Sequence, residues 1–207
     1  EYPGALDIAG YNYTESMYHT DQEKDPNRGI YGTENRHDME AWKAVRDNEH
    51  IFGQFLWTGI DYLGESGSWP SRGFYSGLLD FGGFIKPRGY FRQSLWSETP
   101  MIYIGTYPLR RGRNWLSQDA WAIWNYDEGQ NIRVVCYTNA AKARLELNGK
   151  TIGDVKDYDD NSGIIHWDIP YTAGKLEAVG LDANGKEVSR YAIVLLHARL
   201  ALLLLNK

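Results

Sequence analysis

The change of pattern near residue 100 is what most constrains this chain. Before it, "ALDIAGYNY", "GIYGT" and "IFGQFLW" read as strands, the first and last buried on both faces. Between the last two, "DMEAWKAVRD" sets Met39, Trp42 and Val45 along one helical face, with Asp38 placed to cap its start. "KPRGYFRQSLWS" is a further helical candidate, with Pro87 suited to its first turn. Strand, loop, helix, strand is the order of a parallel α/β sheet. From residue 118 the pattern turns to short strands separated by turn residues: "AWAIWNY", "IRVVCYTN", "ARLELNGKTIG", "GIIHWDI" and "KLEAVGLDANGKEVSRYAIV". Asn148-Gly149 and Asn184-Gly185 are dipeptides favoured by tight hairpins, whose central positions need positive φ. Strands at this spacing predict an antiparallel β-sandwich. The expected fold class is therefore α/β followed by all-β, with residues 1–100 as the first domain and 118–207 as the second. The stretch 101–117, rich in Pro, Gly and Arg, reads as the linker between them.

Bulk properties remove several function classes. A net charge of −5 with no basic cluster excludes the phosphate-tracking surface that nucleic-acid binding needs. The single cysteine, Cys136, lies in the apolar run "IRVVCY" as a small hydrophobe and excludes an intrachain disulfide. The tail "VLLHARLALLLLNK" is interrupted by His197 and Arg199 and falls short of the ~20 residues a membrane span needs. It reads as a last core strand or a short packed helix, and no membrane partner is expected. "EYPGALDIAG" has no signal-peptide pattern, and the chain reads as though cut from something longer. Three strands cannot close a barrel or cover both faces of a parallel sheet, so the first half either docks on further chain of its own, which is the expectation, or rearranges.

"GYNYTE", "YGTENRHDMEAWKAVRDNEHIFGQFLWTGIDYLGESGSWP" and "SGLLDFGGFIKPRGYFRQSLW" together resemble the last third of the catalytic (β/α)8 TIM barrel of the family 2 glycoside hydrolases, β-galactosidase type. "VVCYTNAAKARLELNGKTIG" is similar to the immunoglobulin-like β-sandwich that follows the barrel in that family. The resemblance implies that Glu34 in "GTEN" is the catalytic nucleophile at the end of the seventh barrel strand. It implies that Tyr13, at the end of the sixth strand, faces the nucleophile, and that Trp57, at the end of the eighth, walls the sugar site. His37 and Asn12 are implied substrate contacts. The glycine- and serine-rich stretch "ESGSWPSRGFYSG" is expected to be a rim loop that offers Glu65, Trp69 and Arg72 to a leaving group or second sugar.

Chemistry gives each implied role a reason. Barrel active sites lie at the carboxyl ends of the strands, where Glu34 and Trp57 fall. A retaining glycosidase needs one carboxylate to attack the anomeric carbon and another about 5 Å away to protonate the leaving oxygen. In the family the second belongs to an Asn-Glu pair on the fourth strand, upstream of anything in this chain. Asn48-Glu49 repeats the dipeptide at the wrong end of a strand, so Glu49 is rejected and the chain alone is expected to be inactive. Ordinary readings compete: Glu34 as a solvated loop carboxylate, His37 as helix support, Tyr13 and Trp57 as core alongside Tyr11 and Phe55. Ser76 stands where the best-known β-galactosidases have an asparagine near sugar and cation, which leaves sugar identity open. No Asn-x-Lys motif of the β-glucuronidase kind is present, and β-mannosidase stays open. No cofactor is predicted, and a bound cation is left open. "DYDDNSGIIHWD", with Asp157, Asp159, Asn161 and Asp168, only partly mimics a calcium loop and reads as a polar loop between strands. The alternative function is a non-catalytic carbohydrate-binding or scaffold module. Homo-oligomerisation and localisation are left open, a periplasmic or secreted home being the one that suits polysaccharide-degrading relatives.

Overall fold

A computed structural model describes residues 3–110, 112 and 114–194. The chain divides into two compact units between Ile85 and Lys86. In the first unit, β1 (Ile8–Asn12), β2 (Gly29–Asn35) and β3 (Ile51–Leu56) form a parallel sheet in the order β1-β2-β3. The crossovers carry α1 (Met17–Lys24) and α2 (Met39–Arg46). Asp38 caps α2 as expected, its carboxylate accepting from the Ala41 amide at 2.9 Å. The α1 segment "MYHTDQEK" shows no apolar period, so its helix has no signal in the sequence. It is held by Tyr18, which buries against Ile30 and Ile51 with Tyr11, Ala44 and Val45 around them. Each such large side chain, fully buried, contributes about 1.5–3 kcal/mol.

The other face of this sheet is open. Tyr31 follows the buried Ile30 and therefore points the opposite way. Its ring meets Phe52 at 5.4 Å and Phe55 at 6.2 Å. Phe52 and Phe55 are 63% and 66% exposed, and Ile8 is 54% exposed. Phe55 was expected in the core; instead it lies beside Tyr31, on the side away from the buried Ile30–Ile51 cluster. After β3, the short strands β4 (Tyr62–Leu63) and β5 (Gly73–Phe74) pair antiparallel and carry the loop 64–72 expected from the Gly/Ser-rich stretch.

The second unit opens with α3 (Pro87–Trp96), where Pro87 occupies the first turn as the sequence suggests. Phe91 is fully buried, edge-on to Tyr137 at 5.4 Å, and Tyr90 stacks on Tyr103 at 4.4 Å. These contacts place α3 with the second unit, so the division falls at Ile85/Lys86 instead of residue 100. The strands that follow are β6 (Ile102–Pro108), β7 (Asn131–Thr138), β8 (Lys142–Leu147), β9 (Lys150–Asp157), β10 (Ile165–Pro170), β11 (Lys175–Leu181) and β12 (Glu187–Val194). They form two antiparallel sheets, β10-β7-β6 and β12-β11-β8-β9. Ile104, Val134, Cys136 and Trp167 from the first sheet bury with Leu145, Leu176 and Ala178 from the second in one core. Burial pushes the Cys136 thiol far up, so it stays protonated as a small hydrophobe.

Two expectations for this unit are corrected. The expected linker contains β6, and the expected strand "AWAIWNY" is irregular chain. That irregular chain packs on the outer edge of β6: the Thr106 amide donates to the Trp121 carbonyl at 2.9 Å. A Cβ at Gly105 would stand 2.0 Å from the Ala120 carbonyl oxygen, so only glycine permits the approach. Asn148 and Gly149 both have positive φ, as the β8–β9 hairpin requires. At the second dipeptide only Gly185 does, and a register shift at Gly180/Leu181 absorbs the longer turn. The apolar tail beyond Val194 lies outside the described residues. The described structure is mostly β with few helices.

Candidate active site

Tyr13, Glu34 and Trp57 come together at the carboxyl ends of the three parallel strands. Asn12 pairs in register with Glu34, the Tyr13 amide donates to the Glu34 carbonyl at 2.9 Å, and the Trp57 amide donates to the Asn35 carbonyl at 3.2 Å. Backbone bonds thus tie the three positions side by side. Tyr13 itself has φ of +51°, so the chain turns sharply where β1 ends. Its phenol lies near enough to the Glu34 carboxylate for that charge to act on it. Burial first, and then the negative charge of Glu34, raise the Tyr13 pKa, which keeps the phenol a donor. Arg36 lies over the Tyr13 ring at 5.7 Å and opposes that shift.

The floor beneath Glu34 is fixed. Asn35 is fully buried, and its Nδ2 donates to Glu15 Oε1 at 2.7 Å and to the Tyr18 hydroxyl at 3.2 Å. A Cβ on Gly32 would fall 1.7 Å from Asn35 Oδ1, so β2 needs glycine there. The register slips between Tyr11 and Asn12 as β1 passes β2, which makes Glu34 the partner of Asn12.

A second polar group faces the same space. Tyr62 meets Trp57 edge-to-face at 5.9 Å. The Tyr62 hydroxyl donates to Glu65, whose backbone sits at φ of +43°. Partial desolvation, the Glu65 bond and the nearby charges of Glu65 and Glu34 raise the Tyr62 pKa. Sequence reading named Glu65 only as a rim residue and missed Tyr62, whose one signal is its place five residues after Trp57 in "WTGIDY".

The other candidates are less converged. His37 is half-buried in the bend between β2 and α2, one residue before the Asp38 cap. Trp69 is 76% exposed on the rim loop, with the Arg72 guanidinium over its ring at 5.1 Å. Ser76 Oγ lies 3.0 Å from Thr58 Oγ1, just beyond Trp57. Glu49 is exposed at the amino end of β3, about 20 Å along the strand direction from the end that bears Trp57. Among the described residues no cluster of His, Cys, Asp and Glu could hold a metal ion. Of the calcium-like residues, Asp168 is held by the Arg133 guanidinium at 2.7 Å, and Asp159 closes its own turn through Asn161 and Ser162.

Comparison with known proteins then decides the family. Residues 129–189 match a family model described as a domain of unknown function, DUF4982. The chain is 33% identical over 157 residues, 74% of its length, to the β-galactosidase BoGH2A of Bacteroides ovatus. A glycosyl hydrolase family 2 member from Bacteroides cellulosilyticus superposes with a TM-score of 0.79 over 93% of this chain at 29% identity. The chain belongs to glycoside hydrolase family 2. It spans 16% of the Bacteroides ovatus relative and 28% of the Bacteroides cellulosilyticus structure, both much longer proteins. A β-glucuronidase of Bacteroides uniformis, at 17% identity and a TM-score of 0.68, shares the fold with this family 2 chain.

Proposed function

We propose that this chain is the C-terminal part of the (β/α)8 catalytic barrel, with the following immunoglobulin-like domain, of a retaining exo-β-glycosidase of β-galactosidase type. The observation that carries the reading is the convergence of Tyr13, Glu34 and Trp57 at the ends of three neighbouring parallel strands, with the Tyr13 amide bonded to the Glu34 carbonyl and its phenol near the Glu34 charge. In this reading β1, β2 and β3 are the last three barrel strands. Glu34 attacks the anomeric carbon, the glycosidic bond breaks, and a glycosyl ester forms on its carboxylate. Water then hydrolyses the ester with retention of configuration. Tyr13 orients the carboxylate before attack, and Trp57 offers an indole face to the C–H surface of the sugar. His37, Asn12 and Trp69 are assigned to substrate.

The acid that protonates the leaving oxygen is assigned to the rest of the barrel. The open sheet face with Ile8, Tyr31, Phe52 and Phe55 supports this, since a parallel sheet is covered on both faces and barrel interiors are filled by such side chains. The isolated chain should therefore not hydrolyse a nitrophenyl β-galactoside. In the complete enzyme, Glu34→Gln should lower kcat by at least about 10³-fold. A 2-fluoro-galactosyl inhibitor should label Glu34 in a peptide identified by mass spectrometry. Label on another carboxylate, or turnover by the isolated chain, would overturn the assignment.

A further inference from the structure

We propose that the sandwich unit holds a second carbohydrate-binding site, in the cavity along the outer edge of β6, that takes one or two pyranose rings of a neutral glycan. This cavity measures about 480 Å³ and is walled by Tyr107, Trp115, Trp121, Ile123 and Tyr126, with Arg110 beside them. The size lies within the ~300–1,000 Å³ range of small-molecule sites. A pyranose presents flat patches of C–H groups ringed by hydroxyls, and indole and phenol faces suit the patches while leaving the hydroxyls wet.

Three features single this place out. First, Trp115 and Trp121 are 56% and 55% exposed, whereas Trp124 and Trp167 in the same unit are 2% and 3% exposed. The sandwich has a core that accepts tryptophan, so two indoles left on one concave wall are unusual. Second, the wall is rigid. The Trp115 ring stacks on Tyr107 at 5.5 Å with an interplanar angle of 17°, and the Tyr107 hydroxyl donates to the Trp115 carbonyl at 3.0 Å and accepts from the Ser117 amide at 3.1 Å. Third, a buried cation holds the irregular loop in place. Arg133, 3% exposed, donates to the Trp115 carbonyl at 3.2 Å and to Asn114 Oδ1 at 3.0 Å while gripping Asp168. A buried guanidinium is costly unless fully paired, and here part of its pairing fixes a loop that presents indoles to solvent. A wall ordered in advance spares the cost of ordering side chains and loop on binding.

A concave cavity of this volume suits a small molecule, whereas a protein partner needs a broad interface of about 1,200 Å² or more. Among the described residues Arg110 is the exposed charged side chain on its wall, a hydrogen-bond donor to hydroxyls, while Asp119 is engaged by Arg88. The rest of the described lining is mostly aromatic and aliphatic, which suits the C–H faces of neutral sugars. The site does not depend on Glu34 being a nucleophile.

Calorimetric titration of the 207-residue chain with β-1,4-galactobiose, β-1,4-mannobiose and cellobiose tests the proposal. At least one should bind, with affinity falling about tenfold or more in Trp115→Ala and in Trp121→Ala. Phe52→Ser, on the open sheet face of the other unit, should leave that affinity within about twofold. Trp115→Phe should retain part of the binding, and circular dichroism verifies that each variant is folded. No heat from any of the three disaccharides up to about 10 mM with folded protein would overturn the proposal. So would binding that is lost in Trp57→Ala and kept in both sandwich variants.

Discussion

At Tyr13 a strained backbone and a hydrogen bond act on the same neighbour. A non-glycine residue at φ of +51° costs about 1 kcal/mol or more, and its surroundings must hold it there. The return is a phenol near the Glu34 charge. A hydrogen bond to a charged group contributes about 1.5–3 kcal/mol, so Tyr13→Phe in the complete enzyme should lower kcat/KM about 10- to 100-fold, read from steady-state kinetics. Because the Tyr13 pKa is raised, its donor is fully present below the ordinary phenol value of about 10 and is lost only as pH rises through the higher folded value. Tyr13 is therefore not the source of any pH dependence near neutrality. Gly32 shows the converse, a residue valued for what it lacks: with Asn35 Oδ1 at 1.7 Å from any Cβ, Gly32→Ala should cost about 3 kcal/mol. A lowered urea midpoint with unchanged m-value would register it.

At the level of elements, signals carried by neighbours in sequence were legible and those carried by distant partners were not. Asp38 at the start of α2, Pro87 at the start of α3 and Asn148-Gly149 between β8 and β9 act within a few residues, and the structure uses each as read. Strand β6 was hidden because its flanking Pro, Gly and Arg resemble a linker, while its strand character comes from pairing with β7, far along the chain. "AWAIWNY" alternates like a strand but finds a packed edge, Thr106 and Gly105 of β6, that takes it as irregular chain. Helix α1 was invisible because one buried ring, Tyr18, holds it. In the site, Glu34, Tyr13 and Trp57 were legible through family motifs at strand ends, and Tyr62 was not, since its partners Trp57 and Glu65 meet it through a turn. The Arg133–Asp168 pair joins β7 to β10 and yields a pH prediction. Arg133 holds the Asp168 carboxyl below the usual carboxylate range, so the stability it contributes is present above that range and is lost as pH falls through the lower folded value. Asp168→Asn should lower the melting temperature at pH 7 and flatten its decline below about pH 4, followed by calorimetry.

For the whole molecule, the open face of the parallel sheet dominates solution behaviour. Ile8, Phe52 and Phe55 present more apolar surface than single scattered residues would, and such patches bind hydrophobic dyes and promote association. Phe52→Ser with Phe55→Ser should reduce dye fluorescence and association of the isolated chain without unfolding the helix-covered side, where Ile30 and Ile51 are buried. Normal dye binding in the double variant would place the sticky surface elsewhere. The sheet order has a further meaning. Among the described residues β1 and β3 each pair within this sheet with β2 alone, so their outer edges present backbone amides and carbonyls spaced for another strand. Those edges set polarity and register for whatever joins them, because a parallel newcomer must match their slanted hydrogen bonds. A strand supplied by another segment would meet a template there, and the first one added would decide how any later one lies.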